Sequence, residues 1–433
     1  MNDVIAITDI RDLVGGTLKG IAEECSFIGI ETELENIRGG ELFINCALLG
    51  EDLQEAFERG CVAVLTKEVE GLPQDGAYLF VSDCDEALRK IAVWWRSRFS
   101  FPIVAVYDSA VTAALLARLL LKSARGAFIA ADEADAKFAF KALCKLHGEC
   151  EWGVCELQVG DQDTFEAWAP DFVVVSEEDA KNKTWPCTLI TVSKEENKVS
   201  VITSAATQDK DYAIREIQSD PLLGCCFKLS LSEEKTLFLK STLIGAWRVY
   251  EIAAGIVAAL QLAPQLSEEQ IVATVKRFSV LPGKLNLRLS CRGRIIIDGS
   301  LADNAKVVGL ASELKENTSV AFVMMDSGEG VVANDDSKKR SLLDQIVKLA
   351  PKEVVLVGEF PLASTIFKES GIQVLSAPSV KVAINVVNKL ETEYVFIAAA
   401  KGLSSLAEGV LLIEGESVPD TICSLPMEES EEK

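Results

Sequence analysis

Ile103-Val104-Ala105-Val106-Tyr107 is an unbroken run of strand-forming apolar residues, and the stretch from Ala110 to Lys122 just after it is strongly apolar at helical spacing. A strand with no polar side needs cover on both faces, and a helix that crosses back over the sheet supplies it. The pairing recurs along the chain. Before it, Glu41 to Ala47, Cys61 to Leu65 and Ala77 to Val81 read as strands, Leu53 to Arg59 as a short helix and Asp85 to Phe99 as a longer one with Leu88, Ile91, Ala92 and Trp95 on one side. After it come strands at Phe128 to Ala130, Trp152 to Leu157 and Asp171 to Val175. From Cys187 to Phe238 the pattern changes to short strands with polar turns. Thr242 to Leu262 reads as one long helix, and Ser267 with Gln270 opens another as a capping box. A last set of strands falls at Arg294 to Asp298, Val320 to Met325, Val354 to Gly358, Val374-Leu375 and Tyr394 to Ala399. Pro102 and Leu281-Pro282-Gly283 break the pattern. The expectation is an α/β chain in three domains, 1–100, 101–280 and 281–426, with a mostly charged tail over 427–433.

Composition removes several functions. Hydrophobic residues make up 49%, enough for full cores, so wholesale disorder is excluded. The net charge of −23 repels polyphosphate backbones, which argues against nucleic-acid binding. One histidine, His147, rules out a His-rich zinc site; it sits in a helix-like stretch and reads as a surface or capping residue. The 12 cysteines are scattered without a C-x-x-C, several of them inside apolar runs such as Val154-Cys155, and read as reduced packing residues of a cytoplasmic protein. The first residues show no basic region followed by a long apolar run, so no signal peptide is expected. No uncharged apolar run reaches the length of about 18 residues that suggests a membrane span.

Several short motifs, in their order, resemble the Mur ligase family. Gly40-Glu41-Leu42-Phe43 resembles its G-D-L-F, and Gly60-Cys61-Val62-Ala63-Val64 its G-A-x-A-V. Gly245-Ala246-Trp247-Arg248-Val249 stands where the family has G-x-H-N-V. Leu281-Pro282-Gly283-Lys284-Leu285 looks like its P-G-R-L. Asp298-Gly299-Ser300-Leu301-Ala302-Asp303-Asn304-Ala305 stands where it has D-D-S-Y-N-A-N-P, and Lys401-Gly402-Leu403-Ser404 with Glu408 where it has K-G-S-R and a later Glu. The local motifs are nearest to the branch that adds D-alanyl-D-alanine to a UDP-muramoyl tripeptide. The resemblance implies a UDP-substrate domain, a central P-loop-type ATPase domain and a Rossmann-like C-terminal domain. It also implies a chemistry in which ATP phosphorylates a carboxylate and an amine attacks the acyl phosphate. Charge at the γ-phosphate is then stabilised by a Gly-rich loop, its Lys and Mg²⁺.

Most of the positions that carry this chemistry differ here. The family's G-x-x-G-K-T is replaced by Asp108, Ser109, Ala110, Val111, Thr112 and Ala113. Without its glycines this backbone is expected to curl poorly round a phosphate, and the lysine is gone. A charge-assisted contact is worth about 1.5–3 kcal/mol. Asp108 adds repulsion: at an effective dielectric of about 20, unit charges ~5 Å apart repel by roughly 3 kcal/mol. The plain alternative is a strand-turn-helix that serves only the core.

Glu156 follows the strand at 152–155 and stands at the family's metal-binding Glu. It reads either as a Mg²⁺ ligand or as a solvated strand-end acid. The family's later histidine is missing, and Lys181, Lys183 and Lys194 are unsupported candidates for its carbamylated lysine. Trp247-Arg248 replaces the His-Asn pair that contacts the nucleotide, and Lys284 keeps the charge of an Arg without its planar fork. Asp298 remains of an acidic pair, with Gly299 in the second place, while Asn304 and Lys401 survive. These last survivors read either as binding residues or as turn and cap residues. Glu33-Leu34-Glu35 replaces the D-S-R of the UDP site and puts the wrong sign beside a diphosphate.

The expectation is a catalytically inactive homologue that takes no cofactor and acts as a binding or structural partner of another protein. UDP-sugar peptide binding is disfavoured. The alternative is an active ATP- and Mg²⁺-dependent amide ligase of peptidoglycan precursor synthesis with a divergent nucleotide site, using Glu156, Asp298, Asn304 and Lys401.

Overall fold

The structure is a computed structural model of the 433-residue chain. It describes residues 4–20, 25–45, 52–67, 72–73, 76–124, 126–129, 140–141, 143–144, 146–157, 162–182, 185–203, 210–279, 284–289, 294–300, 304–315, 319–325 and 336–398. The chain divides into two compact units, one of Met1–Ala213 with Ile252–Ile271, the other of Ile214–Glu251 with Val272–Lys433.

Besides the antiparallel pair Ile5–Ala6 with Ser26–Phe27, the described residues of the first unit form two larger sheets. The smaller has the strand order Thr17–Lys19, Tyr78–Phe80, Ala63–Thr66, Glu41–Ile44, Gly29–Glu31. All its pairings are parallel except that of Thr17–Lys19 with Tyr78–Phe80. Alternation along a strand explains why its apolar runs are continuous: Leu42 and Ile44 enter one core, and Phe43 between them enters another with Val64 and Tyr78.

The larger sheet runs Lys198–Ile202, Thr188–Ser193, Phe172–Ser176, Ile103–Tyr107, Gly153–Leu157, Ala127–Ile129. The last five strands are parallel, and Lys198–Ile202 is antiparallel to its neighbour. Every residue of Ile103–Tyr107 is buried, as its unbroken apolar run predicts. The helix Ala110–Leu120 buries nine of its eleven residues.

The second unit carries the antiparallel strands Gly224–Ser230 and Thr236–Ser241 beside the later part of Lys210–Asp220, which bulges between Arg215 and Gln218. Its main sheet runs Asn286–Leu289, Ile295–Gly299, Tyr394–Ala398, Val320–Met325, Glu353–Val357, Gln373–Ala377. Only the first of these is antiparallel to its neighbour, and the two faces bury separate cores.

Three local readings need correction. The long helix is Arg248–Leu262, not Thr242 to Leu262, because Gly245 takes φ 104°, residues 242–244 are irregular and 246–247 form a turn. Glu156 lies inside the strand Gly153–Leu157 rather than after it. His147 lies outside any helix, exposed, with its carbonyl accepting the Cys150 N–H.

The Ser267–Gln270 capping box is present, each side chain bonding the other's backbone N–H at 3.2 and 2.9 Å. Among the described residues no helix is long and apolar enough to cross a membrane. Cys25, Cys61, Cys84, Cys144, Cys150, Cys155, Cys187, Cys225 and Cys226 are free thiols.

Candidate functional site

Parallel sheets offer ligands the carboxyl ends of their strands. In the first unit that end is built by Ile103–Tyr107 and its neighbour Gly153–Leu157, and only Asp108 and Ser109 separate the former from the helix Ala110–Leu120. Asp108 takes φ 51° and donates its N–H to the Leu157 carbonyl at 3.0 Å. The left-handed turn expected to need glycine is therefore made by aspartate, one of the few L-residues that tolerate it.

Ser109 caps the helix. Its Oγ accepts the Thr112 N–H at 3.2 Å and lies 2.7 Å from Thr112 Oγ1, while its carbonyl accepts the Ala113 N–H at 3.0 Å. A phosphate-cradling loop turns several free N–H groups toward its ligand. Here the connection is two residues long, and the N–H groups of Thr112 and Ala113 point at Ser109. Thr112, which stands where the family lysine would, is 1% exposed. A helix from the same unit packs hard against it, since a Cβ on Gly255 would lie 3.3 Å from the Thr112 carbonyl. The turn thus carries neither the glycines nor the lysine of the family's phosphate loop.

Glu156 is aligned with Val106 in the neighbouring strand, half-buried, with Oε2 out of reach of solvent. Among the described residues no group of three or more His, Cys, Asp or Glu side chains converges to hold a metal. Of the lysine candidates, Lys181 is exposed and paired with Glu177 at 2.8 Å, Lys194 is exposed, and Lys183 lies outside the described residues.

In the small sheet, acids take up nearby backbone donors. Glu31 Oε1 accepts the N–H groups of Thr32 and Glu33 at 2.8 and 3.1 Å, and Glu41 accepts those of Arg38 and Gly39 at 3.3 and 2.7 Å. Glu33, the first residue in the place of the D-S-R, is paired with Lys141 at 2.7 Å.

In the second unit Asp298 is fully buried near the end of Ile295–Gly299. Its Oδ1 accepts the Ser300 N–H and hydroxyl at 3.2 and 2.8 Å, and its Oδ2 has no hydrogen-bond partner among the described residues. Beside it, a Cβ on Gly299 would lie 2.7 Å from Val307 Cγ2, 3.1 Å from the Ile397 carbonyl and 3.2 Å from Leu285 Cδ2. The second acid of the pair is not merely missing; hydrocarbon fills its place. Asn304 begins the helix Asn304–Lys315 and is half-buried. Lys401, Gly402, Ser404, Glu408 and residues 281–283 and 301–303 lie outside the described residues.

Trp247 and Arg248 do structural work at the position of the His-Asn pair. The Trp247 ring lies over Gly245, where any Cβ would collide with it. Arg248 is 3% exposed. Its Nε donates to the Ile244 carbonyl at 3.3 Å, its Nη1 to Glu251 Oε2 at 2.7 Å and its Nη2 to the Lys284 carbonyl at 2.9 Å. Lys306 Nζ reaches the other oxygen of Glu251 at 2.7 Å. Burial pushes the Glu251 carboxyl upward, but the charges of Arg248 and Lys306 outweigh it and hold the group below the usual glutamate range. The sequence holds a hint of this in the three-residue spacing of Arg248 and Glu251, but Lys306 lies 55 residues further on and carries no signal.

No family model matches the chain. Over 119 residues it is 33% identical to a curated relative, UDP-N-acetylmuramoyl-tripeptide--D-alanyl-D-alanine ligase of Synechocystis sp.; the match takes in 25% of this chain and 26% of that enzyme. The chain thus spans about a quarter of the length of the curated relative it matches. In fold it is similar to MurF from Acinetobacter baumannii, with a TM-score of 0.68 at 16% identity over 95% of this chain and 99% of that one. MurF from Thermotoga maritima in complex with ADP gives 0.60 at 15% identity over 89% and 97%. Folylpolyglutamate synthase from Thermotoga maritima gives 0.53 at 10% identity over 75% and 92%.

Proposed function

We propose that this chain, which has the Mur ligase fold and resembles MurF, performs no ATP-dependent ligation and serves as a binding or structural partner of another protein in the cytoplasm. The observation that carries the reading is the two-residue turn between Ile103–Tyr107 and Ala110–Leu120, with Thr112 buried and capped by Ser109 where a phosphate-binding lysine would be needed. The filled space over Gly299 and the internal bonding of Arg248 support it from the second unit. The acids around Glu31, Glu33 and Glu41 weigh against a UDP-sugar in the first domain. In this reading the chain takes no cofactor and its domains are 1–100, 101–280 and 281–426, with an acidic tail over 427–433. A net charge of −23 suits a basic partner surface. Calorimetric titration with ATP and Mg²⁺ tests the reading: no saturable heat is expected, and a Kd of micromolar order would end it.

One observation favours a second reading. Asp298 keeps a fully buried carboxylate oxygen with no hydrogen-bond partner among the described residues, near a strand's carboxyl end. An active ligase with a divergent nucleotide site would use that oxygen together with Glu156, Asn304 and Lys401. Turnover of UDP-N-acetylmuramoyl-tripeptide and D-alanyl-D-alanine with ATP would establish it.

A further inference from the structure

We infer that the network of Arg248, Glu251 and Lys306 is a built-in tie that holds the second unit in one arrangement without any bound nucleotide. The inference rests on the reading that this site takes no ATP, and it names what stands in for the ligand. Four stretches of chain meet in the network: the turn at Ile244, the first turn of Arg248–Leu262, the carbonyl of Lys284 ahead of the strand Asn286–Leu289, and the first turn of Asn304–Lys315. Local spacing brings together only Ile244, Arg248 and Glu251. Lys284 and Lys306 arrive from 36 and 55 residues away, so the tie fixes tertiary structure rather than a helix turn.

The chemistry is that of a satisfied internal site. Both oxygens of Glu251 carry a cation's N–H, and three nitrogens of the guanidinium are committed, two of them to backbone carbonyls. The Arg248 and Glu251 side chains are 4% and 11% exposed, so water and salt screen the pair weakly. Removing one member leaves an uncompensated buried charge, which is the costly way to break such a network. The backbone at Leu285 is set by the same corner: its N–H donates to the Asp298 carbonyl at 2.7 Å with φ at 67°, directly after the Lys284 carbonyl that Arg248 holds.

Amide hydrogen exchange on the full chain tests the tie, read at residues 285–289 and 305–310. In Glu251→Gln, exchange at both stretches is expected to rise by roughly tenfold or more, because the two cations lose their shared anion. In Lys306→Met the rise is expected at 305–310, with 285–289 less affected because Arg248 keeps Glu251. In the unmodified chain, millimolar ATP with Mg²⁺ is expected to change neither stretch. Exchange in Glu251→Gln equal to that of the unmodified chain overturns the inference. Should Glu251→Gln not fold, unchanged exchange at 305–310 in Lys306→Met overturns it alone. Protection of either stretch by ATP sinks the nucleotide-free reading itself, whereas a silent ATP arm with silent variants sinks only the tie.

Discussion

The hydroxyls of Ser109 and Thr112 lie 2.7 Å apart, and Ser109 Oγ also takes the Thr112 N–H, so the helix start is closed by its own side chains. The cap takes up one of the N–H groups that a helix start otherwise leaves free. The Asp108 carboxyl group beside it adds a charge of the wrong sign.

A lysine at the family position does not rescue the site. Thr112→Lys puts an ammonium into a place that is 1% exposed and removes a hydroxyl from its bond. Destabilisation by about 2 kcal/mol or more is expected, with no gain in ATP binding. Urea unfolding and calorimetry check the two halves. Micromolar ATP binding by the variant would show that the collapsed turn reopens.

Gly299→Asp is expected to destabilise by about 2–3 kcal/mol, through overpacking against Val307 and Leu285 and burial of a charge. Gly299→Ala isolates the steric part and is expected to show about half of it. Denaturant midpoints decide. An alanine variant as stable as the unmodified chain would mean that the neighbours yield freely.

Glu251 predicts a pH dependence with a definite sign. Its folded value lies below the ordinary one of about 4.3, so its contribution is present above that value and is lost as pH falls through the folded value. Stability followed between about pH 3 and 6 is expected to fall on acidification, and Glu251→Gln is expected to start lower and fall less steeply. Parallel curves would show that other carboxylates govern the acid limb.

Burial pushes the thiols of Cys61 and Cys225 up to about 12, and that of the fully buried Cys155 well above its ordinary value. Alkylating reagents need a thiolate within reach. Brief treatment of the native protein with iodoacetamide is expected to label Cys226, half-buried on the other side of its strand from Cys225, and to spare the other three. Peptide mapping reads this directly. Equal labelling of Cys225 and Cys226 would contradict the burial assigned to this strand.

The strand Ile103–Tyr107 and the Ser267–Gln270 box were legible because each is decided by neighbours in sequence: an all-apolar run in one case, two reciprocal bonds in the other. Such local signals also carry the α/β alternation and the likeness to the Mur ligase fold. The start of Arg248–Leu262 was misread because its apolar spacing continues upstream, and only the positive φ of Gly245 under the Trp247 ring stops it. The opening strands Ile5–Ala6, Thr17–Lys19, Ser26–Phe27 and Gly29–Glu31 are too short for alternation to show. Within the candidate site the missing lysine and glycines were plain from residue type. What fills their places was not, because Thr112 against Gly255, and Val307 over Gly299, meet only in the folded chain.

Val307 over Gly299 makes that vacancy self-sealing. An acid at 299 gains nothing until the valine and Leu285 are trimmed, and trimming them first opens a void that weakens the fold on its own. Each single step in either direction is therefore expected to cost stability on its own.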